Sequence, residues 1–308
     1  MKRGRSAELR KQYREKGYWK DETLLDCWDR TVEKYPDREY VVDDRGYRYT
    51  YREMDEAAGR VASYLLWLGI RPGEVVSYQL PIWSEFAMLT IACYKIGAVA
   101  HPIAMSYEEK ELARSLNVTE SRCYFGPTFF YKTDYEERIL AVRDQVPLLK
   151  DVVLIDSVRE RKSNVPLLRE ILASCEPLPK ERCVHTKNGQ DIAVILCTSG
   201  TTGGTKGVLL THDNVRYSED TFNRELGLTE EDIMFMPAPL HHATGFHHAI
   251  IAPMLHGAKV VLQQKYQCRS AIELMNREKV TYSMGATPFI YDILRELETN
   301  GGAVPTLK

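Results

Sequence analysis

Residues 198–207 read Thr198-Ser199-Gly200-Thr201-Thr202-Gly203-Gly204-Thr205-Lys206-Gly207. From Ser199 onward the segment holds only glycines, hydroxyl residues and one lysine. Glycine lets a backbone turn tightly and brings its N–H groups close to an anion. Hydroxyls and an ammonium add further donors, so the chemistry of the set is polyphosphate binding. A Walker loop needs Gly, four residues, then Gly-Lys-Ser/Thr opening into a helix. Counting from Gly200, the second glycine position holds Thr205, and Lys206 is followed by Gly207. Apolar runs flank the loop at 192–197 and 208–210, so the spacing predicts strand, loop, strand. A bare surface hairpin tip would explain the glycines. It would not explain a lysine set among hydroxyls between two apolar strands.

Four of the eight histidines, His241, His242, His247 and His248, lie within eight residues. They follow a predicted strand at 233–236 and the turn Pro237-Ala238-Pro239-Leu240. Three readings stay open: a metal site, a packed helix start, or a ligand-lining turn. A metal needs three or four convergent ligands. His241 and His248 can share a helix face, but His242 and His247 cannot easily do so. No Cys, Asp or Glu lies between them or immediately beside them. Lining a substrate site at the carboxyl end of a strand is favoured, because open α/β sheets bind ligands there.

The elements that must position these groups follow from periodicity. Apolar runs predict strands at 39–42, 47–50, 75–80, 98–103, 122–125, 152–155, 233–236, 259–263 and 281–284. Helical spacing predicts helices at 7–16, 24–34, 51–68, 84–95, 107–117, 136–145, from about 212, 245–256, 270–278 and 288–298. Thr50 and Glu53 form a capping box, Gly69 closes that helix, and Pro253 should kink or shorten its own. Repeated βα alternation argues for an α/β fold of mostly parallel sheets packed with helices in two lobes. Residues 157–190, rich in charge and proline, read as a surface excursion with one short helix. Residues 301–308 read as a trailing loop, where another βα unit would be expected.

At 308 residues the chain can bury a sizeable core. A net charge of -2 gives no reason to expect nucleic acid or an anionic membrane as partner. Seven scattered cysteines without a CxxC fit a reducing cytoplasm. No apolar stretch approaches the roughly 20 residues of a membrane span.

The loop, with Leu210-Thr211-His212-Asp213-Asn214 after it and Pro239-Leu240-His241-His242-Ala243-Thr244-Gly245 further on, resembles the adenylate-forming superfamily. That group includes acyl-CoA synthetases, peptide-synthetase adenylation domains and luciferases. Tyr49-Thr50-Tyr51-Arg52-Glu53-Met54, Tyr94-Lys95-Ile96-Gly97-Ala98 and the segment around Pro288 resemble further family segments in the same order. The order looks most like ligases for aryl or alicyclic acids. The family usually has proline where Thr205 stands, so this loop should be less stiff.

The resemblance implies ATP-dependent activation of a small carboxylic acid as acyl-AMP, followed by transfer to coenzyme A or a carrier-protein thiol. A carboxylate is already ionised at neutral pH, so the first step needs no general base. The need is for preorganised stabilisation of charge on the leaving pyrophosphate. By resemblance, Thr198, Ser199, Gly200, Thr201, Thr202, Gly203, Gly204 and Lys206 hold the ATP phosphates, with Mg²⁺ shared through the phosphates near Thr202. Lys206 and His242 are the catalytic candidates. His242, Phe246, Gly285, Ala286 and Thr287 line the acyl pocket. The resemblance also implies N-terminal elements at 1–60, a first lobe at 61–231 including the loop, and the start of a second lobe at 232–308. The family's adenine, ribose and hinge motifs and its C-terminal domain are not found, so the chain reads as the N-terminal portion of such a ligase, with little activity alone. The alternative is a non-catalytic fragment that binds a ligand or a partner.

Overall fold

Short apolar runs alternate with helices along most of the chain, and the central parallel strands they form are buried along most of their length, as such strands must be. The structure is a computed structural model and describes residues 7–186, 188–198 and 206–308. The strands are β1 (Glu39–Asp43), β2 (Arg48–Thr50), β3 (Val75–Tyr78), β4 (Val99–Pro102), β5 (Ser121–Pro127), β6 (Phe129–Phe130) and β7 (Thr133–Asp134). There follow β8 (Asp151–Ile155), β9 (Ile192–Thr198), β10 (Lys206–Thr211), β11 (Ile233–Met236), β12 (Lys259–Leu262) and β13 (Tyr282–Ser283).

One sheet has the order β13-β11-β12-β1-β2, parallel except for the antiparallel edge strand β2. The other has the order β10-β9-β4-β3-β5-β8, parallel except for β10. The N-terminal hairpin β1–β2 therefore lies in the same sheet as the last three strands. The two sheets share one apolar core. Helix Ser84–Lys95 is buried at all twelve positions and contacts β1 of one sheet and β3 and β4 of the other. A helix apolar all round belongs in such an interior.

The capping box at Thr50 forms as expected: the Thr50 hydroxyl accepts from the Glu53 N–H at 3.2 Å, and the Glu53 carboxylate accepts from the Thr50 N–H at 2.8 Å. Gly69 then turns the chain at φ +71. Three regions differ from the sequence reading. The small hairpin β6–β7 was not anticipated, because two-residue strands carry too little pattern to see. Residues 301–308 are irregular but tied down, with Val304 buried, the Thr306 hydroxyl donating to Val280 O at 2.7 Å and the Lys308 N–H to Thr281 O at 2.8 Å. The single helix expected over 245–256 is a π-helix, Gly245–Ile251, followed by an α-helix, Ala252–His256. Pro253 sits in the first turn of the latter, where the winding changes.

Candidate active site

The loop is carried by the β9–β10 hairpin, in which Thr198 faces Lys206 and Cys197 faces Gly207. Thr198 and Lys206 are both exposed at its mouth. Ser199, Gly200, Thr201, Thr202, Gly203 and Gly204 lie outside the described residues. The two flanking strands inferred from the apolar runs are present, and Lys206 opens a strand rather than a helix.

Both limbs are anchored by buried polar groups. Behind the incoming limb, His101 is fully buried, with Ser77 Oγ 2.7 Å from its Nδ1 and Cys197 Sγ 3.6 Å from its Nε2. Burial pushes His101 down to about 3, so the ring is neutral. The outgoing limb ends in a second capping box, Thr211 with Asn214, which starts helix His212–Glu225. His212 is lowered to about 4 by burial, and its neutral Nδ1 accepts the Leu24 N–H at 3.1 Å. The buried Asp213 carboxylate accepts the Lys20 N–H at 3.2 Å and the Gln190 amide at 2.8 Å. Arg216 donates to Tyr18 O at 2.7 Å. The residues after the loop thus bind the N-terminal arm, Tyr18 to Leu24, against the hairpin.

The second part of the site stands at the carboxyl ends of β11 and β13, which are adjacent and parallel. After β11 the chain turns, with the His242 N–H donating to Pro239 O at 3.1 Å and the Phe246 N–H to His242 O at 2.8 Å. Gly245 is required there: a Cβ would lie 2.2 Å from Pro239 O. His242 is exposed. His241, its ring 6.3 Å away, is lowered to about 4 by burial and by the neighbouring His242. Gly285 packs against Pro237, where a Cβ would come within 3.0 Å of the proline ring, so the two strand ends are in contact. Ala286 and Thr287 are exposed beside it. Phe246 is fully buried, its ring 6.4 Å from that of Phe86.

His247 and His248 do not join His241 and His242. Both bind Glu219 of helix His212–Glu225, at 3.2 and 2.9 Å. Among the described residues no group of three or more His, Cys, Asp or Glu is arranged to hold a metal. Glu219 was not singled out in the sequence, although a signal was present. His212, Arg216, Glu219 and Asn223 recur at helical spacing, and all four are buried. A cleft of about 1480 Å³ runs beside β10, and its wall includes Gly207, Leu209, Thr211, Ser218 and His247. It brings the hairpin next to the segment that follows the histidine turn.

Two mostly parallel sheets, with a hairpin that carries a glycine- and hydroxyl-rich segment and a histidine turn at strand carboxyl ends, define an open α/β protein, a class that binds ligands at such ends. The chain matches the AMP-binding enzyme family over residues 28–307, and it belongs to that family. It is 39% identical over 301 residues to the medium-chain fatty-acid–CoA ligase of Escherichia coli (strain K12), covering 98% of this chain and 52% of that one. The apo structure of Mycobacterium smegmatis MbtA superposes with a TM-score of 0.81 at 24% identity, over 91% of this chain and 51% of that one. The anthranilate CoA ligase AuaEII in complex with anthranoyl-AMP gives 0.83 at 21% identity, over 93% and 54%. The chain therefore spans about half the length of the curated relatives it matches. Among the described residues no helix is long and apolar enough to cross a membrane.

Proposed function

We propose that this chain carries the phosphate-binding hairpin and part of the acyl site of an enzyme that activates a carboxylic acid with ATP and passes the acyl group to coenzyme A. The observation that carries the reading is the β9–β10 register, which sets Lys206 opposite Thr198 at the mouth of a glycine- and hydroxyl-rich loop. Family membership supports the same chemistry. The carboxylate oxygen attacks the α-phosphorus of ATP, the bond to the bridging oxygen breaks, and pyrophosphate leaves with the charge that develops. Lys206 and the loop donors neutralise that charge. The exposed His242 orients the incoming carboxylate and clears a path for the thiol when its ring turns away. Then the thiol sulfur attacks the acyl carbon and AMP departs.

Magnesium enters with the phosphates. The ion would be held chiefly by phosphate oxygens, and Thr202 is the residue proposed beside it. The aryl or alicyclic preference read from the segment order gives way to a medium-chain aliphatic acid, since the 39%-identical relative is named for one. A cytoplasmic setting is part of the proposal, supported by seven free thiols.

The test is titration of the chain with ATP and with pyrophosphate by calorimetry. Lys206→Ala should weaken both by about tenfold or more, because it removes charge-assisted hydrogen bonds, and leave acid binding nearly intact. Equal loss of acid and phosphate binding, or no loss of either, would refute the phosphate role.

A further inference from the structure

We propose that Glu219 is a positioning residue whose single buried carboxylate holds the histidine turn after β11 in fixed relation to the outgoing limb of the β9–β10 hairpin. Its functional consequence rests on the phosphate reading of that hairpin; its geometry does not. Glu219 has no exposed side-chain surface, yet three donors reach it. His247 Nδ1 lies 3.2 Å from Oε1, His248 Nδ1 lies 2.9 Å from Oε2, and Ser218 Oγ donates to Oε1 at 3.1 Å. Burying a carboxylate is expensive unless it is paired and hydrogen-bonded. That expense is met here by consecutive residues of one helical segment. Successive side chains of an α-helix diverge, whereas a π-helix has more residues per turn and so a smaller angle between neighbours. The unusual winding of Gly245–Ile251 is what lets both rings face one acceptor.

An ionised carboxylate only accepts, so each Nδ1 must carry the proton. The clasp thus fixes the tautomer and the orientation of both rings. His248 is further held by stacking on Phe222, 4.2 Å away at 28°. His247 lines the cleft beside Gly207, and its Nε2 is buried with no partner among the described residues.

The mechanical path is short in both directions. Glu219 sits in the helix that Thr211 caps directly at the end of β10. The clasped segment begins one turn after His242, whose carbonyl accepts the Phe246 N–H at 2.8 Å. A second tie, from Asn223 to Ala252 O at 2.9 Å and to His256, holds the far end of the same segment. Glu219 is therefore the polar tie nearest the turn, and Asn223 supplies an internal control.

The experiment uses the whole chain as wild type, Glu219→Gln, Glu219→Asp and Asn223→Ala. Long-range proton–nitrogen spectra distinguish the histidine tautomers, amide exchange reports the Phe246 N–H, and pyrophosphate is the titrant. In wild type both rings should be protonated at Nδ1. Glu219→Gln should move at least one ring to the other tautomer, speed Phe246 exchange about tenfold, the worth of one charged hydrogen bond, and weaken pyrophosphate several-fold. Glu219→Asp should recover part of each change, and Asn223→Ala should leave the Phe246 amide and the tautomers as they are. Unchanged Phe246 exchange or unchanged pyrophosphate affinity in Glu219→Gln overturns the proposal, leaving Glu219 a packing residue. Should the glutamine variant not fold, Nε2–H on both rings of the wild type overturns it by itself. If wild type binds no pyrophosphate, the phosphate reading fails instead, and tautomers and Phe246 exchange still decide the positioning role.

Discussion

At residue scale, Gly245 shows how little room the histidine turn has. Any Cβ there meets the Pro239 carbonyl at 2.2 Å, and backbone cannot move aside cheaply. Gly245→Ala should lower stability by about 1–3 kcal/mol, the usual cost of overpacking, read as a shift in the urea midpoint. Glu219 makes a pH prediction. Burial alone would raise its pKa, but the bonds from His247 and His248 outweigh it and lower the group from 4.5 to about 2. A group depressed on folding contributes stability above its unfolded value and loses it as pH falls through the folded one. The stability gap between wild type and Glu219→Gln should therefore be full above pH 4.5 and shrink toward pH 2. A gap that stays constant across that window would show that the carboxylate is not held as described.

At the scale of elements, the N-terminal hairpin is bound into its sheet by side chains as well as by the β1–β12 ladder. The Tyr51 hydroxyl lies 2.8 Å from both Pro253 O and Ala258 O. Glu278, lowered to about 2 because bonds from Arg48 and Lys259 outweigh its burial, joins β2 and β12 to the helix Cys268–Glu278. Glu278→Ala should lower stability by about 1–3 kcal/mol, since two cations lose a buried acceptor; calorimetric melting checks it. The βα alternation was legible because each apolar run has its own period. The π-helix was not, because Gly245 to Ile251 has an ordinary helical pattern. Its consequence was not legible either, since the acceptor that His247 meets lies twenty-eight positions away, at Glu219.

At the scale of the whole molecule, the segment from Tyr18 to Leu24 closes over the helix that follows the β9–β10 hairpin. Removing residues 1–22 would take the Lys20 N–H from Asp213 and the Tyr18 carbonyl from Arg216, both partners being buried. The truncated protein should melt at a lower temperature, and amide exchange in β10 should rise more than in β5, which lies at the other side of that sheet. Uniform loss of protection would mean that the arm serves general stability only.

The sequence by itself determined the fold class, the strand–loop–strand setting of the loop and the family resemblance, because local composition and period carry that information. The tight approaches at Gly245 and Gly285 came from the structure, where an added Cβ would meet Pro239 O and the Pro237 ring. Only the tertiary structure decided which histidines act together. His241 and His242 stay on the turn, whereas His247 and His248 turn inward to Glu219. It alone sent Phe246 into the core and set Cys197 against His101. Those pairings join residues far apart in the chain through buried polar contacts, and a buried charge or imidazole selects its partner by proximity in the folded core, which no local pattern encodes.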